Sequence, residues 1–252
     1  MQDLLPKLRI ELPEIEDLSS GKGRPNPLPL VGRDREGGER LGSIFDGRDE
    51  RMAPSPNPSH KGRGTSPVLL DPFALFAAKP RQIELEIGFG GGEHLAACAA
   101  QRPDTGFIGC EPFINGVASL LGHIDNQKLE NIRIYPNDAR TLLDALPDAC
   151  LARIFILFPD PWPKARHEKR RFIGPENLPH LARALQKGGE MHLATDDVKL
   201  AGWMFAHMDA AKEFVAAHGP RHEPPSDWVQ TRYEQKALRA GRAPFYAIYR
   251  RI

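Results

Sequence analysis

Between Arg81 and Arg250, short apolar runs rich in branched and aromatic residues alternate with stretches of helical period. That alternation restricts the fold more than any other feature. Arg81–Ile87, Gly106–Cys110, Ile132–Tyr135, Leu151–Phe158, Gly189–Ala194 and Ala243–Arg250 read as strands. Glu93–Gln101, Phe113–Gln127, Thr141–Leu146, Leu178–Leu185 and a long Val198–His218 read as helices. Repeats of this kind predict an α/β fold, a Rossmann-like, doubly wound, mostly parallel sheet with helices on both faces. Its ligand belongs at the carboxyl ends of the strands. Leu151–Phe158 is apolar without interruption, as a strand covered on both faces must be.

The front of the chain breaks this pattern. Leu18–Pro67 holds nine Gly and seven Pro in fifty residues, with no sustained period of 2 or 3.6. Such a stretch buries too little surface to offset the entropy of ordering it, and long insertions cost little in loop closure. The organisation expected is a short N-terminal segment at 1–17, a disordered insertion at 18–67 and the α/β domain at 68–252. Within the first segment, Leu4–Ile10 reads as a helix end or an edge segment. No run approaches the roughly 18 apolar residues of a membrane span, so no membrane partner is expected. Cys98, Cys110 and Cys150 are isolated and odd in number, which excludes a disulfide framework and fits a reducing cytoplasm. The nine histidines lack ligand spacing, so no metal is expected. With 34 Lys and Arg against 33 Asp and Glu, bulk charge selects no partner, and the local arrangement must.

The first strand runs into Glu86-Ile87-Gly88-Phe89-Gly90-Gly91-Gly92-Glu93. Glycine-rich strand-to-helix turns let a ligand approach the backbone closely. The dinucleotide pattern GxGxxG fails, because Glu93 stands where its third glycine belongs, and a pyrophosphate would face both Glu86 and Glu93. S-adenosylmethionine is cationic at its ammonium and sulfonium and carries no phosphate, so the acids favour it. The spacing of Glu86, Gly88, Gly90 and Gly92 fits the loop of class I methyltransferases. Glu111 ends the second strand, where a carboxylate grips the adenosine ribose. Asp138 follows the third, near where the adenine would lie.

The fourth strand ends in Leu157-Phe158-Pro159-Asp160-Pro161-Trp162-Pro163. Prolines on both sides of Asp160 restrict its backbone and present its side chain rigidly beyond a buried strand, which makes Asp160 the candidate catalytic residue. Next come Lys164, Arg166, Lys169, Arg170 and Arg171, five cations in eight positions with Glu168 the one acid. From Thr231 to the end there are six Lys and Arg against Glu234 alone. A chain balanced overall but basic beside its reaction centre favours a polyanionic substrate. Trp203, Met204, Phe205 and Met208 read as core rather than as a base-stacking platform.

These blocks resemble the bacterial tRNA (guanine-N7)-methyltransferases. The resemblance rests on Leu85-Glu86-Ile87-Gly88-Phe89-Gly90, Phe158-Pro159-Asp160-Pro161-Trp162, Lys164-Ala165-Arg166-His167, Lys169-Arg170-Arg171, Ala194-Thr195-Asp196 and Thr231-Arg232-Tyr233-Glu234. They occur in family order across Asp71–Ile252. The glycine loop is generic; the Phe-Pro-Asp-Pro-Trp block with its basic tail is specific. The resemblance implies that Glu86, Gly88, Gly90, Glu111, Asp138 and Asp160 bind S-adenosylmethionine and that Asp160 is catalytic. It implies substrate contacts at Lys164, Asp196, Thr231, Arg232, Tyr233 and Glu234, with tRNA modified at guanine 46 of the variable loop. The cations at Arg166, Lys169, Arg170 and Arg171 are the expected RNA contacts. A basic amino-terminal arm is also typical of the family, and here the chain starts near its end. Monomer and homodimer both stay open. So do a class I methyltransferase acting on another RNA or a protein, and a non-catalytic tRNA-binding protein on the same fold.

Overall fold

The computed structural model describes residues 4–12 and 69–252. The insertion expected at 18–67, with the boundaries on either side of it, lies outside the described residues. Seven strands, β1 (Gln82–Ile87), β2 (Thr105–Cys110), β3 (Ile132–Tyr135), β4 (Leu151–Leu157), β5 (Leu185–Thr195), β6 (Phe214–Arg221) and β7 (Phe245–Arg251), form one sheet in the order β3-β2-β1-β4-β5-β7-β6. The first five are parallel, and β7 runs antiparallel between β5 and β6. From β1 the sheet grows toward β2 on one side and β4 on the other. A switch of this kind opens a crevice at the carboxyl ends of β1 and β4, so the expected mostly parallel, doubly wound sheet is present.

Side-chain alternation on the strands sorts the core into two layers. Ile83, Leu85, Ile154, Ile156, Met191 and Leu193 pack under α4 (Ala139–Ala145), α5 (Leu178–Ala184) and α6 (Val198–Ala210). On the opposite face Phe107, Ile132 and Ile134 meet Leu95 of α2 (Glu93–Gln101) and Leu120 of α3 (Ile114–Gln127). Near the N-terminus, α1 (Leu5–Leu8) is followed by a parallel bridge from Arg9 to Ile134. Both readings of Leu4–Ile10 therefore hold, one after the other.

The long helix expected at Val198–His218 is instead α6 and then β6. The C-cap Ala211 is extended, Phe214 turns into the core, and the following residues pair with β7. The Ala-Ala-His composition is compatible with a helix, but β7 would otherwise be an unpaired edge, and sheet pairing overrides a weak local preference. Met204, Phe205 and Met208 are buried as expected. A further helix, α7 (Arg232–Arg239), was not legible as one from periodicity. Its start has a sequence signature all the same: Thr231 and Glu234 form a capping box.

Candidate active site

The glycine loop follows β1, and its shape explains its composition. Gly90 has φ +58°, a region costly for residues with a Cβ, and a Cβ there would come within 3.0 Å of Cε2 of Tyr233. Gly116, on α3, is held so close that a Cβ would lie 2.2 Å from the Gly90 carbonyl oxygen. By contrast nothing lies within 4 Å of the Cβ position of Gly88, so the loop is open on that side.

Around this opening the acids converge. The Gly90 amide donates to Oε2 of Glu111 at 2.9 Å and the Phe113 amide to Oε1 at 3.0 Å. Burial pushes the Glu111 carboxyl up; those two amides oppose the shift, while the charges of Asp160 and Glu86 add to it. Burial likewise raises the Cys110 thiol well above its ordinary value, with Asp138 and Glu111 adding to the effect. Residues from the ends of β1, β2, β3 and β4 thus share one negative field. A concave site of this kind attracts a cation, and the donor set together with the open side of Gly88 fits S-adenosylmethionine.

Glu86 and Asp138 each pair with a basic side chain. Glu86 is buried with His94 of α2, Oε2 lying 2.7 Å from Nδ1, and the two side chains are 5% and 4% exposed. Burial alone opposes a charged ring, but the Glu86 carboxylate, helped by contact with Cys98, outweighs it and lifts His94 to about 10. Asp138 caps α4 by accepting from the Arg140 amide at 2.9 Å and pairs with the Arg140 guanidinium at 2.9 Å. A cavity of about 210 Å³ lies behind His94 rather than at the acids, lined by Gln82, Arg102, Arg153, His192 and Trp228 among others. It has neither the glycines nor the convergent acids, so the crevice at the strand ends remains the candidate site.

Asp160 is exposed, beyond the end of β4. On either side of it, Phe158 and Trp162 adopt left-handed backbone with φ 51° and 42°. For bulky residues this costs on the order of 1–2 kcal/mol each. The Phe158 amide is tied to the Ala194 carbonyl at 2.7 Å. Asp160 therefore sits on a short bridge between two left-handed residues, tied to β5 at its front.

Ala165–Arg170 forms a 3-10 helix. Lys164, Arg166 and Lys169 are exposed on it or at its start, and Arg170 lies 4.8 Å from the Trp162 ring centroid. Arg171 differs from its expected role as an RNA contact, for it is buried and bonded to the Asp160 loop. The Thr231–Glu234 block also divides. Tyr233 and Arg232 are exposed, Tyr233 beside Gly90 and Arg232 3.9 Å from Glu93. Thr231 caps α7 through its hydroxyl. Glu234, 3% exposed, accepts from Nε1 of Trp228 and from the Tyr246 hydroxyl, each at 2.7 Å. Its carboxylate binds its own fold, contrary to the expected substrate contact. Asp196 is paired with Arg242 at 2.7 Å. Sequence reading missed His94, Trp228 and Tyr246. The one available signal was an ionisable residue at the second position of the helix after the glycine loop. Among the described residues no cluster fit to hold a metal ion occurs, and no helix is long and apolar enough to cross a membrane.

A family model described as a putative methyltransferase matches residues 80–247. The tRNA (guanine-N(7)-)-methyltransferase of Paramagnetospirillum magneticum is 53% identical over 185 residues, 72% of this chain and 77% of that protein. The protein of the same name from Paracoccus denitrificans is 45% identical over 213 residues, 84% and 86% of the two chains. Among solved structures, a 16S rRNA (adenine(1408)-N(1))-methyltransferase from Catenulisporales acidiphilia superposes with a TM-score of 0.54 at 14% identity, covering 73% of this chain and 92% of that one. That likeness bears on the fold alone, which it shares with class I methyltransferases. With a family model matched over most of the domain, and relatives alike at this level over most of both sequences, the chain belongs to the bacterial tRNA (guanine-N7)-methyltransferase family.

Proposed function

We propose that this chain transfers the methyl group of S-adenosylmethionine to N7 of guanine 46 in the variable loop of tRNA. The observation that carries the reading is the placement of Asp160, held between two left-handed residues in the field of Glu111 and followed at once by an exposed basic turn. When bound, S-adenosylmethionine supplies an electrophilic methyl group on a sulfonium. Glu111 and Asp138 would hold its adenosine, and Glu86 with the Gly88–Gly90 backbone its cationic end.

Guanine N7 has an in-plane lone pair and no proton to lose, so the chain needs no strong base. Its task is alignment, with the reacting atoms about 3 to 3.5 Å apart. Positive charge develops on the purine as the new bond forms. A fixed carboxylate at Asp160 favours that charge and accepts hydrogen bonds from the guanine N1–H and amino group. Lys164, Arg166, Lys169 and Arg170 attract the phosphodiester backbone, and Arg232 and Tyr233 meet the substrate where it borders the glycine loop. A guanine within folded tRNA must leave its stack to reach this crevice. A reducing cytoplasm suits the chain, since its three cysteines are all free and buried.

The test is a transfer assay with tritiated S-adenosylmethionine and an unmodified tRNA transcript, followed by nuclease digestion and mass spectrometry. Label in 7-methylguanosine from position 46 supports the reading. Label in another nucleoside or in protein moves the chain to a different substrate, and no label at saturating donor removes the activity.

A further inference from the structure

The basic run has one member that faces the other way. Nε of Arg171 donates to the Pro161 carbonyl and Nη2 to the Trp162 carbonyl, both at 3.2 Å. Nη1 meets Oε1 of Glu168 at 3.4 Å. The guanidinium lies 4.7 Å from the ring centroid of Trp203, whose own Nε1 donates to the Ile173 carbonyl at 2.7 Å. The side chain is 7% exposed. Arg171 thereby links α6, through Trp203, to the two residues that follow Asp160. One of the two carbonyls it holds belongs to Trp162, whose backbone is left-handed.

We propose that Arg171 is a positioning residue for Asp160: its planar fork clamps the Pro161 and Trp162 carbonyls and fixes the loop that carries the carboxylate. This rests on the methyl-transfer reading above and gives Arg171 a different task from its exposed neighbours. A strained loop stays in place only while its surroundings hold it. At its front the hold is the Phe158 amide on Ala194, and at its back it is this guanidinium. Lysine would keep the charge but not the clamp, because a single ammonium cannot copy a planar fork stacked on an indole.

Two substitutions separate clamp from RNA contact. Arg171→Lys should lower kcat about ten- to a hundredfold, the range expected when reacting groups are misplaced by a fraction of an ångström to an ångström. The Kd for S-adenosylmethionine, read by calorimetry, should stay within about twofold, since no phosphate or cofactor charge is removed. Arg171→Gln removes the charge and should leave the salt dependence of tRNA binding unchanged, whereas Lys169→Gln should flatten the slope by about 0.7 to 0.9. Deuterium uptake at the 158–164 backbone should rise in Arg171→Lys and not in Lys169→Gln. This measurement tests the clamp whether or not methyl transfer is seen. Full kcat in Arg171→Lys, a flattened slope in Arg171→Gln or unchanged uptake in Arg171→Lys would each overturn the clamp. A wild-type chain that transfers no methyl overturns the functional reading, and the uptake result then decides the clamp by itself.

Discussion

Replacing His94 by leucine tests how the glycine loop is supported. The substitution leaves the Glu86 carboxylate, 5% exposed, with no counter-charge at 2.7 Å. Removing one partner of a buried ion pair costs about 3–5 kcal/mol. The titration of the ring gives a second route to the magnitude. A histidine held at about 10 in the folded chain against an ordinary 6.5 contributes at most roughly 5 kcal/mol. The two routes agree, so urea unfolding at pH 7 should show a loss of about 3–5 kcal/mol. The sign of the pH dependence follows from the raised value. Below pH 6.5 the contribution of His94 is complete; above it the folded chain holds a proton that the unfolded chain has released. Stability then falls by up to about 1.4 kcal/mol per pH unit until the pH passes about 10. Glu84 and Cys98 also face this ring, and burial raises the Glu84 carboxyl despite its bond to Arg102; both groups are retained in the variant, which loses their contacts with the ring along with the Glu86 pair. The difference between wild type and His94→Leu should therefore shrink from pH 6.5 to pH 9.5. A difference that stays flat over this range, or a loss below about 1 kcal/mol at pH 7, would refute a charged, stabilising pair.

Asp160→Ala should lose most turnover while the Kd for S-adenosylmethionine, measured by calorimetry, changes less; near-normal turnover rejects the assignment. Glu234→Ala leaves the Trp228 indole N–H and the buried Tyr246 hydroxyl without their acceptor, and thermal unfolding should show a loss of about 2–3 kcal/mol. A loss within about 0.5 kcal/mol, the range of an ordinary surface change, would return Glu234 to the substrate-facing side. Because burial raises the Glu111 carboxyl, binding of the cationic donor should begin to weaken, as pH falls, at a higher pH than an ordinary glutamate would set. Glu111→Gln should abolish that dependence, and a binding curve of the same shape in both proteins removes Glu111 from the donor site.

The parallel part of the sheet was legible because each strand carries its own signal: branched and aromatic residues, a turn, and then a helical period. The antiparallel end was not. Phe214–Arg221 contains Ala-Ala-His followed by Gly-Pro, and what makes it a strand is pairing with β7, thirty residues further on, which no local window contains. Acids at the ends of successive parallel strands lie near one another because the strands lie side by side, so the charges of Glu86 and Asp160 reach Glu111 and those of Asp138 and Glu111 reach Cys110.

Direction was hidden from the sequence. Arg170 and Arg171 are adjacent and chemically identical, yet one lies along the half-exposed indole of Trp162 while the other is buried beneath the Asp160 loop. Tyr233 and Glu234 part in the same way, toward the glycine loop and into the core. In both pairs the inward residue makes hydrogen bonds within the fold, Arg171 to the Pro161 and Trp162 carbonyls and Glu234 to Trp228 and Tyr246, and the outward residue remains accessible. Arg171 leaves the 3-10 turn in extended backbone, and Tyr233 and Glu234 are successive positions of α7, turned roughly 100° apart about the helix axis. A motif of consecutive polar residues at such a site therefore divides between two faces, one open to solvent and one bonded within the fold.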